Sequence, residues 1–154
     1  MSLSIITYPN QILREKTQKV EKIDKNIKKL INEMKKIMLQ NNGVGLAANQ
    51  IGINLSIFVA YDYEKEKFYT FINPNIIKFL GQEKIMDEGC LSIPDKWGQV
   101  KRYEGVVIEY EDLFGKKKKL RANGLLAQII QHEIDHLNGV LFIDKTKNII
   151  DFKK

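Results

Sequence analysis

Cysteine is all but missing from this sequence: Cys90 stands alone among 154 residues. A disulfide within the chain is thereby excluded, and the free thiol is left as a small buried side chain, a nucleophile or a metal ligand. Histidine is as scarce, with only His132 and His136, which excludes any site built from three imidazoles of this chain. No apolar run approaches the roughly 18 residues of a membrane span, and Met1 to Asn10 lack the basic, apolar and small-residue segments of a secretory leader. The expectation is a soluble, cytoplasmic protein with no membrane partner. Internal repeats, low-complexity tracts and linkers are also missing, so residues 1–154 read as a single domain. Its 44% apolar and 29% charged residues suffice for one core.

Acidic charge is in mild deficit, since 25 basic and 19 acidic side chains leave a formal +6. The excess sits in Lys28, Lys29, Lys35 and Lys36, and in the run Lys116 to Lys119. Neither group has interleaved aromatics, so both read as solvated surface, and no specific DNA partner is expected.

What is present falls into three stretches. From Asp24 to Gln40, Ile27, Leu30, Ile31, Met34, Ile37 and Met38 recur at three- and four-residue steps between lysines, which predicts an N-terminal amphipathic helix with Asp24 as its cap. A glycine-punctuated loop is expected over residues 43–52. Short β-branched and aromatic runs follow: INLSIFVA, KFYTFIN, IIKFLG and GVVIEYED, the last joined through Asp112 to Gly115 to KKKKLRA as a hairpin. Helical periodicity returns from Asn123 to the stop at Asn138-Gly139. Helix, strands and helix in this order predict an α+β domain.

The second helix carries the anomaly. At about 100° per residue, Leu125, Leu126, Ile129, Ile130 and Leu137 share one face that should point into the core, with Gln128, Gln131 and Asp135 opposite. Glu133 falls in the middle of the apolar face, with His136 within it and His132 at its edge. A carboxylate there needs a metal, a cation or strong hydrogen bonds. His132-Glu133-Ile134-Asp135-His136 is HExxH, whose imidazoles lie one turn apart and can share a metal while the glutamate reaches its water. Two satisfied histidines on a packed helix would give the same string. A catalytic site usually has three protein ligands. No glutamate or histidine follows His136, leaving Asp144 and Asp151 downstream, whereas Cys90 upstream sits in Glu88-Gly89-Cys90-Leu91-Ser92. A site of Cys90, His132 and His136 is the reading adopted; a buried structural cysteine is the alternative.

Three segments together resemble the peptide deformylase family: GVGLAANQIG at 43–52, EGCLS at 88–92 and QHEIDHL at 131–137. Weaker similarity runs along nearly the whole chain. The resemblance implies mixed, mainly antiparallel β-sheets wrapped around a central helix that bears HExxH. It implies hydrolytic removal of the formyl group from N-terminal formyl-methionine, with formyl-methionyl nascent peptides as partners. Cys90, His132 and His136 are then the ligands of one divalent ion, Fe(II) in the cell, with Zn(II), Ni(II) or Co(II) also accommodated. Glu133 becomes the general base and acid. The Gln50 side-chain amide and the Leu91 backbone N–H become oxyanion donors. Val44, Gly45 and Gly89 are expected to meet the substrate backbone, and Leu125 and Ile129 to line the methionine pocket. Glu88 is expected to support the site, paired with Arg102. Asn49 stands where many members have proline, which implies altered loop stiffness at most. The tail, residues 148–154, lacks the longer C-terminal helix of some members, so a transient ribosome contact would use the basic surface. A monomer is expected, and bacterial, phage and organellar origins stay open. Two other readings remain: a zinc endopeptidase with a downstream third ligand, and a non-catalytic RNA-binding domain with a closed four-ligand metal.

Overall fold

In the computed structural model, which describes residues 3–151, Lys25–Gln40 form helix α1. The last three residues of the tail, 152–154, lie outside the described residues. Asp24 caps α1 as its sequence predicts: its carboxylate accepts the Ile27 N–H at 3.1 Å. Ile31, Met34, Ile37 and Met38 are buried, and Lys28, Lys29 and Lys36 stay in water.

Residues 43–52 are more ordered than the expected loop. Gly45–Ala47 form a short strand β1 and Ala48–Ile51 a 3-10 turn. Gly45, Leu46 and Ala47 pair with Ala60, Val59 and Phe58 of β2, Ile57–Asp62. The pairing partner is distant in sequence, which is why glycine content alone misread the segment. Gly52 ends the turn at φ 85°, a left-handed conformation that favours glycine.

The runs KFYTFIN and IIKFLG belong to one strand, β3, Lys67–Cys90, which returns as β4, Ile93–Glu111. Register shifts between Ile72 and Asn75, Ile76 and Lys78, and Leu80 and Glu83 bend the pair. Pro74 sits at the first of these shifts, where a missing N–H does not break the ladder, so proline marks a bend here and no chain break. The predicted hairpin forms between β4 and β5, Lys117–Asn123, with Glu111 opposite Lys117. The Asp112 carboxylate accepts the Phe114 and Lys116 N–H groups in the turn.

All strand pairs are antiparallel and join into one sheet of order β1-β2-β3-β4-β5, with β6, Ile149–Asp151, on β4. The parallel contribution is an isolated bridge between Gln18 and Leu55. Helix α2, Gly124–Leu137, packs on β1, β2, β4 and β5, so the fold is α+β with the HExxH helix against the sheet. β2 is buried on both faces: Phe58 and Ala60 join the α2 side of the core, Ile57 and Val59 the α1 side. The end of α2 is held by the N-terminal segment, where Thr17 gives its N–H and its hydroxyl to the Leu137 carbonyl at 2.9 and 3.0 Å. Among the described residues no helix is long and apolar enough to cross a membrane.

Candidate metal centre

Two elements remote in sequence bring the donors together. The end of β3 delivers Cys90, and α2 delivers His132 and His136 one turn apart. Cys90 Sγ lies 3.1 Å from His136 Nε2, which is 3.1 Å from His132 Nε2, and the three donor atoms all lie within 4.8 Å of one another. His132 has its Nδ1 2.8 Å from the Glu88 carboxylate. That partner holds the ring proton on Nδ1 and turns the Nε2 lone pair towards the thiol, the tautomer a metal requires. A thiolate and two imidazoles with aligned lone pairs fit a divalent first-row transition ion. The candidate downstream carboxylates are engaged elsewhere: Asp144 pairs with Arg14, and Asp151 with Lys96 at 3.0 Å. Among the described residues the cluster thus has three donors and neither a downstream ligand nor a fourth.

The expected pairing of Glu88 with Arg102 is present and goes further. Arg102 donates from Nε and Nη2 to the two Glu88 oxygens at 2.6 and 2.8 Å, and from Nη1 to Asp135 at 2.7 Å. Lys145 closes the chain on Asp135 at 3.0 Å. Burial alone would raise the Glu88 carboxyl; the hydrogen bonds from Arg102 and His132 outweigh it and hold the group at about 2. Glu88 is therefore an anion at neutral pH, and alternating charges leave no buried member of this chain unpaired.

Glu133 is in a different environment. It is buried, its Oε1 has no hydrogen-bond partner, and burial pushes its carboxyl up to about 7. A Cβ on Gly45 would lie 2.7 Å from Glu133 Oε2 and 2.9 Å from Ile129 Cγ2, so the glycine leaves the carboxylate its room. Gln50 is fixed by both ends of its amide. Its oxygen accepts the Ala47 N–H at 2.9 Å, which leaves the NH2 facing Ser92 Oγ at 3.1 Å and Cys90 Sγ at 3.5 Å.

These groups open on a cleft of about 570 Å³. Val44, Gly45, Gly89, Leu91, Leu125 and Ile129 line it together with Gln50, Cys90, His132 and Glu133; His136 lies behind, fully buried. Leu91 occupies the turn between β3 and β4, its side chain within contact range of Gly43. Two helix-face expectations are corrected. Leu125 is 59% exposed, because the first turn of α2 stands at the cleft mouth and not over the sheet. Gln131, expected in solvent, is buried: its amide exchanges hydrogen bonds with the Tyr103 N–H and carbonyl at 2.9 and 3.0 Å, acting as a strand neighbour to β4. Asn49 is fully buried and donates to the His136 carbonyl at 2.7 Å. Ser92, Asp135 and Trp97 were not singled out in the sequence. Trp97 lies over Gly89 at the mouth, its ring 2.9 Å from where a Cβ would stand. Their partners are set by strand register, and no local pattern announces them.

The family model described as polypeptide deformylase matches residues 2–151. The peptide deformylase of Karelsulcia muelleri is 48% identical over 147 residues, which is 94% of this chain and 78% of the relative. That of Dictyoglomus thermophilum is 49% identical over 134 residues, 87% of this chain and 86% of the relative. Among solved structures, the peptide deformylase from Synechococcus elongatus in complex with actinonin superimposes with a TM-score of 0.91 at 40% identity, covering 95% of this chain and 79% of that one. The peptide deformylase from Thermotoga maritima gives 0.90 at 34% identity, over 96% of this chain and 99% of that one.

Proposed function

We propose, for a chain that belongs to the polypeptide deformylase family, that Cys90, His132 and His136 hold its metal and that Glu133, Gln50 and Leu91 carry out its reaction. That reaction is the metal-dependent hydrolysis that takes the formyl group from the N-terminal formyl-methionine of nascent proteins and releases formate. The observation that carries the residue assignment is the convergence of three ligand atoms within 4.8 Å of one another, in a cleft that Glu133 and Gln50 also line.

A divalent ion held there supplies Lewis acidity. Glu133 takes a proton from the attacking water, and a new C–O bond forms at the formyl carbon. The negative charge that develops on the formyl oxygen is met by the Gln50 NH2 and the Leu91 backbone N–H. Glu133 then gives its proton to the amine nitrogen as the C–N bond breaks, leaving formate and a free N-terminus. The backbone at Val44, Gly45 and Gly89 runs beside the extended substrate as a strand neighbour. Leu125 and Ile129 contact the methionine side chain, Ile129 as a buried floor and Leu125 as a cover at the mouth. Fe(II) is the ion used in the cell, and Zn(II), Ni(II) or Co(II) enter the same three donors. The protein works as a cytoplasmic monomer, and its exposed lysines on α1 and after Gly115 make transient contact with the ribosome.

The test is formate release from formyl-Met-Ala-Ser by protein purified anaerobically with Fe(II), beside acetyl-Met-Ala-Ser. Glu133→Ala should keep its metal and lose about 10²- to 10⁴-fold in turnover. Wild-type turnover in that variant would refute the role given to Glu133.

A further inference from the structure

His136 presents its Nε2 to the cluster. An imidazole that gives Nε2 to a metal carries its proton on Nδ1, and that N–H needs an acceptor to fix the ring. His132 has one in Glu88. The His136 Nδ1 is buried with no hydrogen-bond partner, and among the described residues three buried acceptor oxygens are left in the same way, the Oδ1 of Asn49, the Oδ1 of Asn54 and the Oε1 of Glu133. Asn49 and His136 are already joined: Asn49 Nδ2 donates to the His136 backbone carbonyl at 2.7 Å. A buried acceptor and a buried donor left apart each cost free energy that pairing them recovers.

We propose that Asn49 is a positioning residue for the metal. With its Nδ2 on the His136 carbonyl, its Oδ1 takes the His136 Nδ1–H, directly or through one bridging water, when Nε2 is engaged. The carboxamide thus does for His136 what Glu88 does for His132. The same 3-10 turn carries Gln50, so one short segment sets both a ligand and the amide that faces the reacting oxygen. The inference rests on His136 being a ligand.

The test uses the full zinc-loaded chain with ¹⁵N-labelled histidine, reading imidazole nitrogen shifts and the exchange of each Nδ1–H with water. The wild type should show two protected Nδ1–H signals, that of His132 serving as internal control. In Asn49→Leu the His136 signal should exchange at least about tenfold faster while that of His132 is unchanged, and zinc release to a chelator should rise about 10- to 100-fold. Unchanged His136 exchange and zinc release in Asn49→Leu would overturn the proposal, even if that variant melts earlier. Should Asn49→Leu not fold, the wild type decides alone: an unprotected His136 Nδ1–H, or a proton on its Nε2, overturns the proposal. If zinc leaves the His136 Nε2 shift unmoved, the ligand assignment fails first, and the role of Asn49 falls with it.

Discussion

α1 buries Ile31, Met34, Ile37 and Met38 and leaves Lys25, Lys28, Lys29 and Lys36 in water, whereas α2 buries Gln131, His132, Glu133 and His136 among Ala127, Ile129 and Ile130. The two helices are 16 and 14 residues long, so the contrast is one of chemistry and not of size. Each buried aliphatic side chain of α1 contributes about 1.5–3 kcal/mol by leaving water, and no partner is needed. Each buried polar group of α2 begins with a desolvation cost that only a directed partner offsets. Gln131 finds Tyr103, His132 finds Glu88, and Glu88 finds Arg102. Glu133 keeps one oxygen without a partner, and His136 keeps its Nδ1 without one. α1 is a stability element; α2 holds polar groups in place, and its stability depends on what surrounds it.

The strongest way to break this contrast is to remove the cation of the network. Arg102 is 3% exposed and stands between Glu88 and Asp135. Arg102→Met should destabilise the fold by about 3–5 kcal/mol in urea titration, because it leaves Glu88 charged and unpaired. The double variant Arg102→Met with Glu88→Met should regain much of that loss, since apolar groups of similar volume replace the pair. It should still release zinc about 10- to 100-fold faster than wild type, having lost the acceptor on His132 Nδ1. Equal metal retention in the double variant would separate Glu88 from the metal and reduce it to a packing residue.

The complementary substitution lies on α1. Met34 is fully buried in the cluster with Leu46, Ile57 and Val59. Met34→Ala should cost about 2–5 kcal/mol through lost transfer energy and the cavity left behind, with metal retention and kcat at wild-type values below the melting range. A parallel loss of metal retention would show that α1 supports the site after all, and the division between the helices would fail.

The same division explains what could be read from the chain. α1 was legible to its cap because its signal is local: apolar spacing and Asp24. The hairpin between β4 and β5 was legible for the same reason, through Asp112 and Gly115. The cluster of Cys90, His132 and His136 was legible because HExxH is a spacing and Cys90 has no rival cysteine. Gln131 and Leu125 were misread, because a helical wheel gives angles and not neighbours. A sheet amide partner beside Gln131 and an open cleft beside Leu125 invert the face on which each belongs. The 24-residue strand β3 was cut in the reading because bulges carry it past Pro74 and Gly81. Asn49 appeared to be a loop residue because its partner is the His136 carbonyl, 87 positions away.

The smallest effect concerns how each helix begins. α1 has no acidic residue in its first turn and carries Lys25 and Lys28 there, so Asp24 is the one group that meets both the free Ile27 N–H and the positive end of the helix dipole. Asp24→Ala should cost about 1 kcal/mol. Asp24→Asn keeps the hydrogen bond and should lose only the charge part, about 0.3–1 kcal/mol, a loss that shrinks as salt is added. α2 starts at Asn123, whose side chain makes no cap bond, so Asn123→Ala should stay within about 0.5 kcal/mol of wild type. Urea titrations of the three variants at low and high salt decide the matter. A loss in Asn123→Ala equal to that in Asp24→Ala would mean that α2 depends on its own cap, and that its burial against the sheet does not start the helix unaided.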